Sequence, residues 1–202
     1  MGSLIGSRVE RKEDKKFLTG KGRYTADINL VHQTYAYFVR SPHARAKITK
    51  VDIEKALKVN GVVKILTGED ISREKIGGLI AGWKIVSQDG KDMKVPNHPP
   101  LAKDSVNYVG DHVAVVIAET LEIAKYAAEL VNVSYQIKKA IVNTKDAMNS
   151  EAIYEDIENN LCFDFILGDK EKTANAFNDA DKIIKLDLRN NRLVPNAMEP
   201  RA

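Results

Sequence analysis

Apolar residues fall along the chain in short clusters whose period changes several times. Residues 8–27 are polar and basic, with Gly20 and Gly22 as breaks, and this pattern predicts an extended arm or loop rather than a helix. Thr34-Tyr35-Ala36-Tyr37-Phe38-Val39-Arg40 is rich in aromatic and β-branched side chains, which fit a pleated surface, and predicts a strand buried on both faces. Ser41-Pro42-His43 ends it, because proline cannot donate to a ladder. Lys47–Ile53 predicts a second strand, with Val51 and Ile53 on one face and Lys50 and Asp52 on the other. Glu54–Val59 predicts a short helix stopped at Gly61, Val62–Thr67 a further strand, and Gly68-Glu69-Asp70 a turn. From Arg73 to Pro100 glycines and prolines interrupt every pattern, which predicts a long loop with one or two short strands, such as Trp83–Val86.

Val113-Ala114-Val115-Val116-Ile117-Ala118 is a continuous apolar run, the mark of a strand buried on both faces. After it, Thr120 is placed to cap a helix and Glu122 sits in the first turn, where the helix dipole favours a carboxylate. Leu121, Ala124, Ala128 and Val131 recur at helical spacing, and Val131–Tyr135 reads as a returning strand. Strand, helix and strand in so short a stretch predict a βαβ-like unit of the usual hand. Past Val142 the organisation changes. Thr144–Ile153 reads as a linker with one helical turn, and Asp169 caps a helix running through Ala174 and Phe177. Ile184, Leu186 and Leu188 alternate with Lys185, Asp187 and Arg189, the pattern of a half-buried strand that lacks a partner. The fold class that follows is α+β.

Composition narrows the function classes. A chain of 202 residues accommodates one domain, or one and part of a second. Apolar residues make up 44% and charged residues 29%, a balance that supports a packed core. The net charge of +3 is spread along the chain, unlike the concentrated basic face of a nucleic-acid binder. The single cysteine, Cys162, makes no internal disulfide and holds no iron–sulfur cluster; between Leu161 and Phe163 it reads as a small buried side chain in a reducing compartment. Met1-Gly2-Ser3-Leu4-Ile5-Gly6 falls short of a myristoylation signal at Gly6, and no apolar run approaches the roughly 18 residues of a membrane span. The expectation is a soluble, cytoplasmic chain.

Each chemical candidate has an ordinary structural explanation. Gly20-Lys21-Gly22-Arg23 carries two glycines of a dinucleotide fingerprint without the third and follows a charged stretch, so it reads as a turn. His32, His43, His98 and His112 show no metal-ligand spacing. Ser41 with His43, or Asp111 with His112, resemble fragments of catalytic pairs; neighbours on a strand face opposite sides, which separates Asp111 from His112. Trp83, Tyr35 and Tyr37 read as core or interface packing, and Glu199 as the partner of Arg201. No catalytic, cofactor-binding or metal-binding residue is assigned.

Longer blocks carry a resemblance. Arg11–Tyr24 with Asp27, Phe38–Ala46, Gly61-Val62-Val63 with Leu66–Asp70, Pro100-Leu101-Ala102 with Val106–Val116, and Pro195–Ala202 resemble, in order, successive blocks of molybdenum hydroxylase large subunits. That family comprises xanthine dehydrogenases, aldehyde oxidases and carbon monoxide dehydrogenases. The resemblance implies residues 1–19 as an N-terminal arm and residues 20–142 as an α/β hammerhead domain. It implies residues 143–202 as a linker and the truncated start of a molybdenum-cofactor-binding domain. It also implies an oxidoreductase that hydroxylates aldehydes or N-heterocycles with water, or oxidises carbon monoxide, using a molybdopterin-type molybdenum cofactor in the full-length subunit. The expected partners are the remaining cofactor-binding domains, iron–sulfur and flavin subunits or domains, and further copies in an oligomer, with no nucleic acid and no membrane. Residues 8–27 and 38–46 are the candidate contacts. The family's glutamine beside molybdenum, its glycine-rich loops and its glutamate base are expected downstream of Ala202, so none of these roles maps onto this segment, and no cofactor is expected on this segment alone. The other reading is a free-standing, non-enzymatic hammerhead domain acting as an assembly or binding module.

Overall fold

The run expected to be most buried is the strand around which the others are arranged. A computed structural model describes residues 5–191, 193–197 and 199. It contains strands β1 (Tyr35–Arg40), β2 (Ala46–Asp52), β3 (Val62–Thr67), β4 (Ser105–Val106), β5 (His112–Ala118) and β6 (Asn132–Ile137). The helices are α1 (Asp14–Leu18), α2 (Glu54–Leu57), α3 (Gly68–Arg73), α4 (Leu121–Glu129), α5 (Thr144–Ala147) and α6 (Lys170–Asn178). Thr34–Ile183 forms one compact unit, and the described residues on either side of it form another.

In the larger unit the strands make two antiparallel sheets of order β1-β5-β3 and β4-β2-β6. β5 is central in the first, with Val115 opposite Phe38 on one side and Leu66 on the other. Its side chains enter both hydrophobic clusters. Val116 packs with Ala56, Ile65, Ala127, Ala128 and Val131, while Val113 packs with Ala46, Ile48, Ala102 and Val106. Val51 and Val133 touch both clusters and join them. Burying each such valine contributes on the order of 1.5 kcal/mol or more.

α4 packs across β1 and β5 through Ala124, Ala127 and Ala128, whose small side chains let its backbone approach the sheet. Its start is fixed as expected: the Thr120 hydroxyl accepts from Ile123 N–H at 3.2 Å. The Asp169 carboxylate caps α6 in the same way, accepting from Lys172 N–H at 3.0 Å, although α6 buries no residue.

Several expectations are corrected. β1 is not buried on both faces: Tyr37 and Phe38 remain 40% and 37% exposed, and among the described residues the strand pairs along one edge, with β5. The expected turn at Gly68 opens helix α3, because Thr67 and Asp70 form a capping box, with Thr67 N–H donating to the Asp70 carboxylate at 2.8 Å. Glycine is required there, since a Cβ on Gly68 would collide with the Ala102–Lys103 backbone. β5 and β6 do not form a βαβ unit, because α4 carries the chain from one sheet to the other. Trp83–Val86 is not a strand; of these residues Val86 makes an isolated bridge, to Asp92, and Trp83 lies exposed, outside the core.

In the smaller unit the arm holds a helix after all, α1, and a 3₁₀ turn at Thr25–Asp27. Local bonds explain both. The Thr19 hydroxyl donates to Lys15 C=O at 2.7 Å, Tyr24 N–H donates to the Asp27 carboxylate at 2.8 Å, and Phe17 stacks on Tyr24 with centroids 5.6 Å apart. Ile184, Leu186 and Leu188 lie exposed and join no sheet among the described residues, consistent with a strand pattern that has no neighbour.

Two substitutions test this architecture by chemical denaturation. Val116→Ala leaves a void beneath α4 and is expected to lower unfolding stability by about 2 kcal/mol. Thr120→Ala removes one cap and is expected to cost about 1 kcal/mol. Equal small effects at both positions would contradict the central place of β5.

Candidate functional site

The polar side chains that are most enclosed gather where the β1–β2 connection meets the approach to β5. Two backbone bonds join these segments: Ser41 N–H donates to Asp111 C=O at 2.8 Å, and Gly110 N–H donates to Ser41 C=O at 2.8 Å. Gly110 has φ +91°, a left-handed conformation that glycine adopts without strain. The Arg40 guanidinium adds a bond to Gly110 C=O at 3.1 Å. Ser41 and Asp111 are both buried, and the Asp111 carboxylate accepts from Asn107 N–H at 3.1 Å. Ala102 N–H donates to His112 C=O at 2.7 Å, which brings the residues after Pro100 into the same corner.

Aromatic groups close around it. The Tyr108 hydroxyl lies 3.3 Å from His98 Nε2, and burial, with the Asp111 carboxylate nearby, pushes the Tyr108 phenol up from its usual range. Burial likewise raises the Tyr135 and Tyr154 phenols, in part offset by hydrogen bonds with Ser41 and Asn107 respectively. His43 meets Tyr135 edge-on at 5.0 Å. All three phenols therefore stay protonated at neutral pH, as donors rather than bases.

The suspected catalytic fragments do not assemble. Ser41 Oγ donates to His43 C=O and accepts from His43 N–H, both at 3.0 Å, so it engages the histidine's backbone and not its ring. The Asp111 carboxylate serves Asn107, while the His112 ring stacks on Phe38 with centroids 4.4 Å apart. His112 Nε2 is buried with no hydrogen-bond partner among the described residues. Desolvation, reinforced by the Arg40 charge, lowers the His112 pKa; Asp111 opposes the shift and His98 adds to it. His32 lies exposed elsewhere at φ +62°, and Tyr35 is half-buried. Cys162 is free and half-buried, rather than fully enclosed. Glu199 binds Thr25, accepting from its N–H at 3.0 Å and its hydroxyl at 2.8 Å; the expected partner, Arg201, lies outside the described residues. Sequence patterns gave no role to Asn107 or Tyr154. Tyr154 stands in a polar stretch without period, where only its aromatic character could have suggested burial.

The corner is thus a joint between two of the motif blocks, and comparisons show whose motif it is. Residues 19–139 match the model of the aldehyde oxidase and xanthine dehydrogenase a/b hammerhead domain. The chain belongs to this family. It is 36% identical over 146 residues to the nicotine 6-hydroxylase large subunit of Paenarthrobacter nicotinovorans, covering 72% of this chain and 17% of that one. It is 30% identical to the carbon monoxide dehydrogenase large chain of Afipia carboxidovorans, covering 96% of this chain and 24% of that one. A solved structure of reconstituted CO dehydrogenase from Oligotropha carboxidovorans superposes with a TM-score of 0.67 and 29% identity, covering 88% of this chain and 22% of that chain. The chain therefore spans a quarter or less of these relatives' lengths.

The family implies a molybdenum–pterin cofactor, and the residues here can be tested against it. Among the described residues no group of three or more His, Cys, Asp or Glu is placed to hold a metal ion. The cavity between His98, Asn107, Tyr108, Asp111 and Tyr154 measures about 30 Å³, room for one water rather than a pterin. A hollow of about 540 Å³ beside Cys162 is lined by Asp89, Asp92, Glu158 and Asp164 against Lys91 and Lys94, a charge balance that repels a pterin's phosphate. The residues of these two hollows do not fit the group, and no step through it is assigned to them. Nor is any helix among the described residues long and apolar enough to cross a membrane.

The hammerhead joint has a pH signature. The folded His112 pKa lies below 6.5, so on acidification the unfolded chain takes up this proton first. Its contribution to stability is complete above pH 6.5 and falls as pH drops through 6.5 toward the folded value. Urea melts between pH 7.5 and 5 are expected to show this decline, and His112→Phe, which keeps the stack on Phe38, is expected to flatten it. An unchanged slope in that variant would contradict the assignment.

Proposed function

We propose that this chain supplies the hammerhead scaffold of a molybdenum-dependent oxidoreductase large subunit that hydroxylates an aldehyde or N-heterocycle with water, or oxidises carbon monoxide. The observation carrying this reading is the family match over residues 19–139, together with relatives whose names specify nicotine 6-hydroxylase and carbon monoxide dehydrogenase large subunits. Such an enzyme would draw its redox chemistry from a molybdenum cofactor and from iron–sulfur and flavin centres held by other domains or subunits, and no residue of this chain is given a part in it. The residues here contribute form. β5 and the Ser41–Asp111 joint hold the hammerhead's own strands together, and its protonated phenols and neutral His112 add no group poised to move a proton. In this reading residues 1–19 are an arm, 20–142 the hammerhead, and 143–202 a linker and the start of a molybdenum-cofactor-binding domain. The basic arm at 8–27 and the exposed positions of 38–46, such as Arg40 and Pro42, are the candidate contacts with partner domains, and the assembly is a cytoplasmic oligomer.

The test is made on the native assembly that contains this chain, isolated from cells. Metal analysis is expected to find on the order of one molybdenum per copy. An artificial electron acceptor is expected to be reduced with one of three substrate classes: an aldehyde, an N-heterocycle or carbon monoxide. A folded assembly with neither molybdenum nor any such turnover would overturn the reading and leave a hammerhead module that acts only in assembly.

A further inference from the structure

Residues 139–164 are fastened at three places, two of them to the hammerhead body and one within the segment itself, and the first is made by Arg45. Its side chain is only 6% exposed, although it carries a permanent charge. Such a group is tolerated only where its donors are satisfied. The forked guanidinium reaches acceptors in two parts of the returning segment. It donates to Ala152 C=O at 2.8 Å, to Lys139 C=O at 3.4 Å and to the Glu151 carboxylate at 3.3 Å. The Arg45 backbone joins in, its C=O accepting from Lys138 N–H at 3.0 Å. Glu151 is 68% exposed, so the ion pair is screened by water and the two backbone carbonyls set the geometry.

Asn160 provides the second fastening, from within the segment. Its amide donates to Ala147 C=O at 2.8 Å and to Glu151 C=O at 3.3 Å, and its carbonyl accepts from Ile153 N–H at 2.8 Å. Asn159 and Asn160 both have left-handed φ, +55° and +54°, a conformation that asparagine tolerates better than most residues. Those two turns aim the amide back at the loop it ties. Between the fastenings Ile157 is buried and Tyr154 tucks beside Asn107. The third place is a pair of backbone bonds, Lys94 N–H to Cys162 C=O and Gln88 N–H to Asp164 C=O, both 2.9 Å.

We infer that residues 139–164 act as a strap, held by Arg45 and Asn160 as positioning residues, that sets where the chain leaves the hammerhead. A stretch that the sequence presents as a linker is thereby tied to the hammerhead body. This stands independently of the oxidoreductase reading.

Hydrogen exchange followed by mass spectrometry on the intact chain tests it. In the unaltered chain, peptides within 143–160 are expected to be protected. Arg45→Met, which keeps the buried length without the fork, is expected to speed their exchange about tenfold or more while β5 keeps its protection. Arg45→Lys is expected not to rescue them, because a single ammonium cannot span acceptors at both 139 and 152. Asn160→Gly keeps the left-handed turn and removes the ties, and is expected to loosen 147–153 alone; it decides the matter should Arg45→Met fail to fold. Three results would overturn the strap: fast exchange of 143–160 in the unaltered chain, unchanged protection in a folded variant, or equal loosening of β5.

Discussion

The structure of the larger unit depends on one strand serving two cores. β5 is hydrogen-bonded on both edges, to β1 and to β3, and sends Val116 into one hydrophobic cluster and Val113 into the other. Neither cluster is large by itself. Joined through β5, Val51 and Val133, they become a continuous apolar interior that two three-stranded sheets and one short amphipathic helix can cover. Because every side chain of a strand is fixed by its register, a slip of β5 by one residue would exchange the two cores at once. That constraint explains why the chain invests its longest apolar run there.

The same strand places the polar corner. β5 begins at His112, so the residues just before it, Gly110 and Asp111, are held where they meet Ser41 at the end of β1. What looks in the sequence like a concentration of reactive side chains resolves into a structural joint. Its serine is occupied by backbone, its carboxylate by an amide, and its phenols, raised further above their ordinary range by partial burial, stay protonated. Membership of the aldehyde oxidase and xanthine dehydrogenase hammerhead family fits a corner built as a frame, and the proposed reading assigns this domain that role alone.

Where a signal was local, the sequence was readable. The apolar run at 113–118, the cap at Thr120 and the cap at Asp169 each declare themselves within a few residues, and the structure contains all three. Where the outcome depended on distant pairing, it was not. The aromatic richness of Tyr35–Arg40 signals a strand but does not tell an edge position from a central one. The strand–helix–strand order at 112–137 does not say that the second strand joins another sheet. The capping box of Thr67 and Asp70 was present in the sequence as a spaced pair, and reading Gly68 as a turn residue concealed it. The corner's main residues, Ser41 and Asp111, lay inside motif blocks, but their union requires bonds across 70 residues that no spacing rule reveals. Arg45 and Asn160 were less legible still, because their partners are backbone carbonyls, which carry no sequence identity.

The central claim is that β5 and the Ser41–Asp111 joint form one cooperative frame. Residue-resolved native-state hydrogen exchange across a range of low denaturant concentrations measures this directly. The account predicts that the amides of Ser41 and Gly110 exchange only with those of Val113–Ala118, at the same free energy and with the same denaturant dependence, through global unfolding. Exchange of Ser41 and Gly110 by a separate, denaturant-independent local opening while β5 stays closed would contradict it.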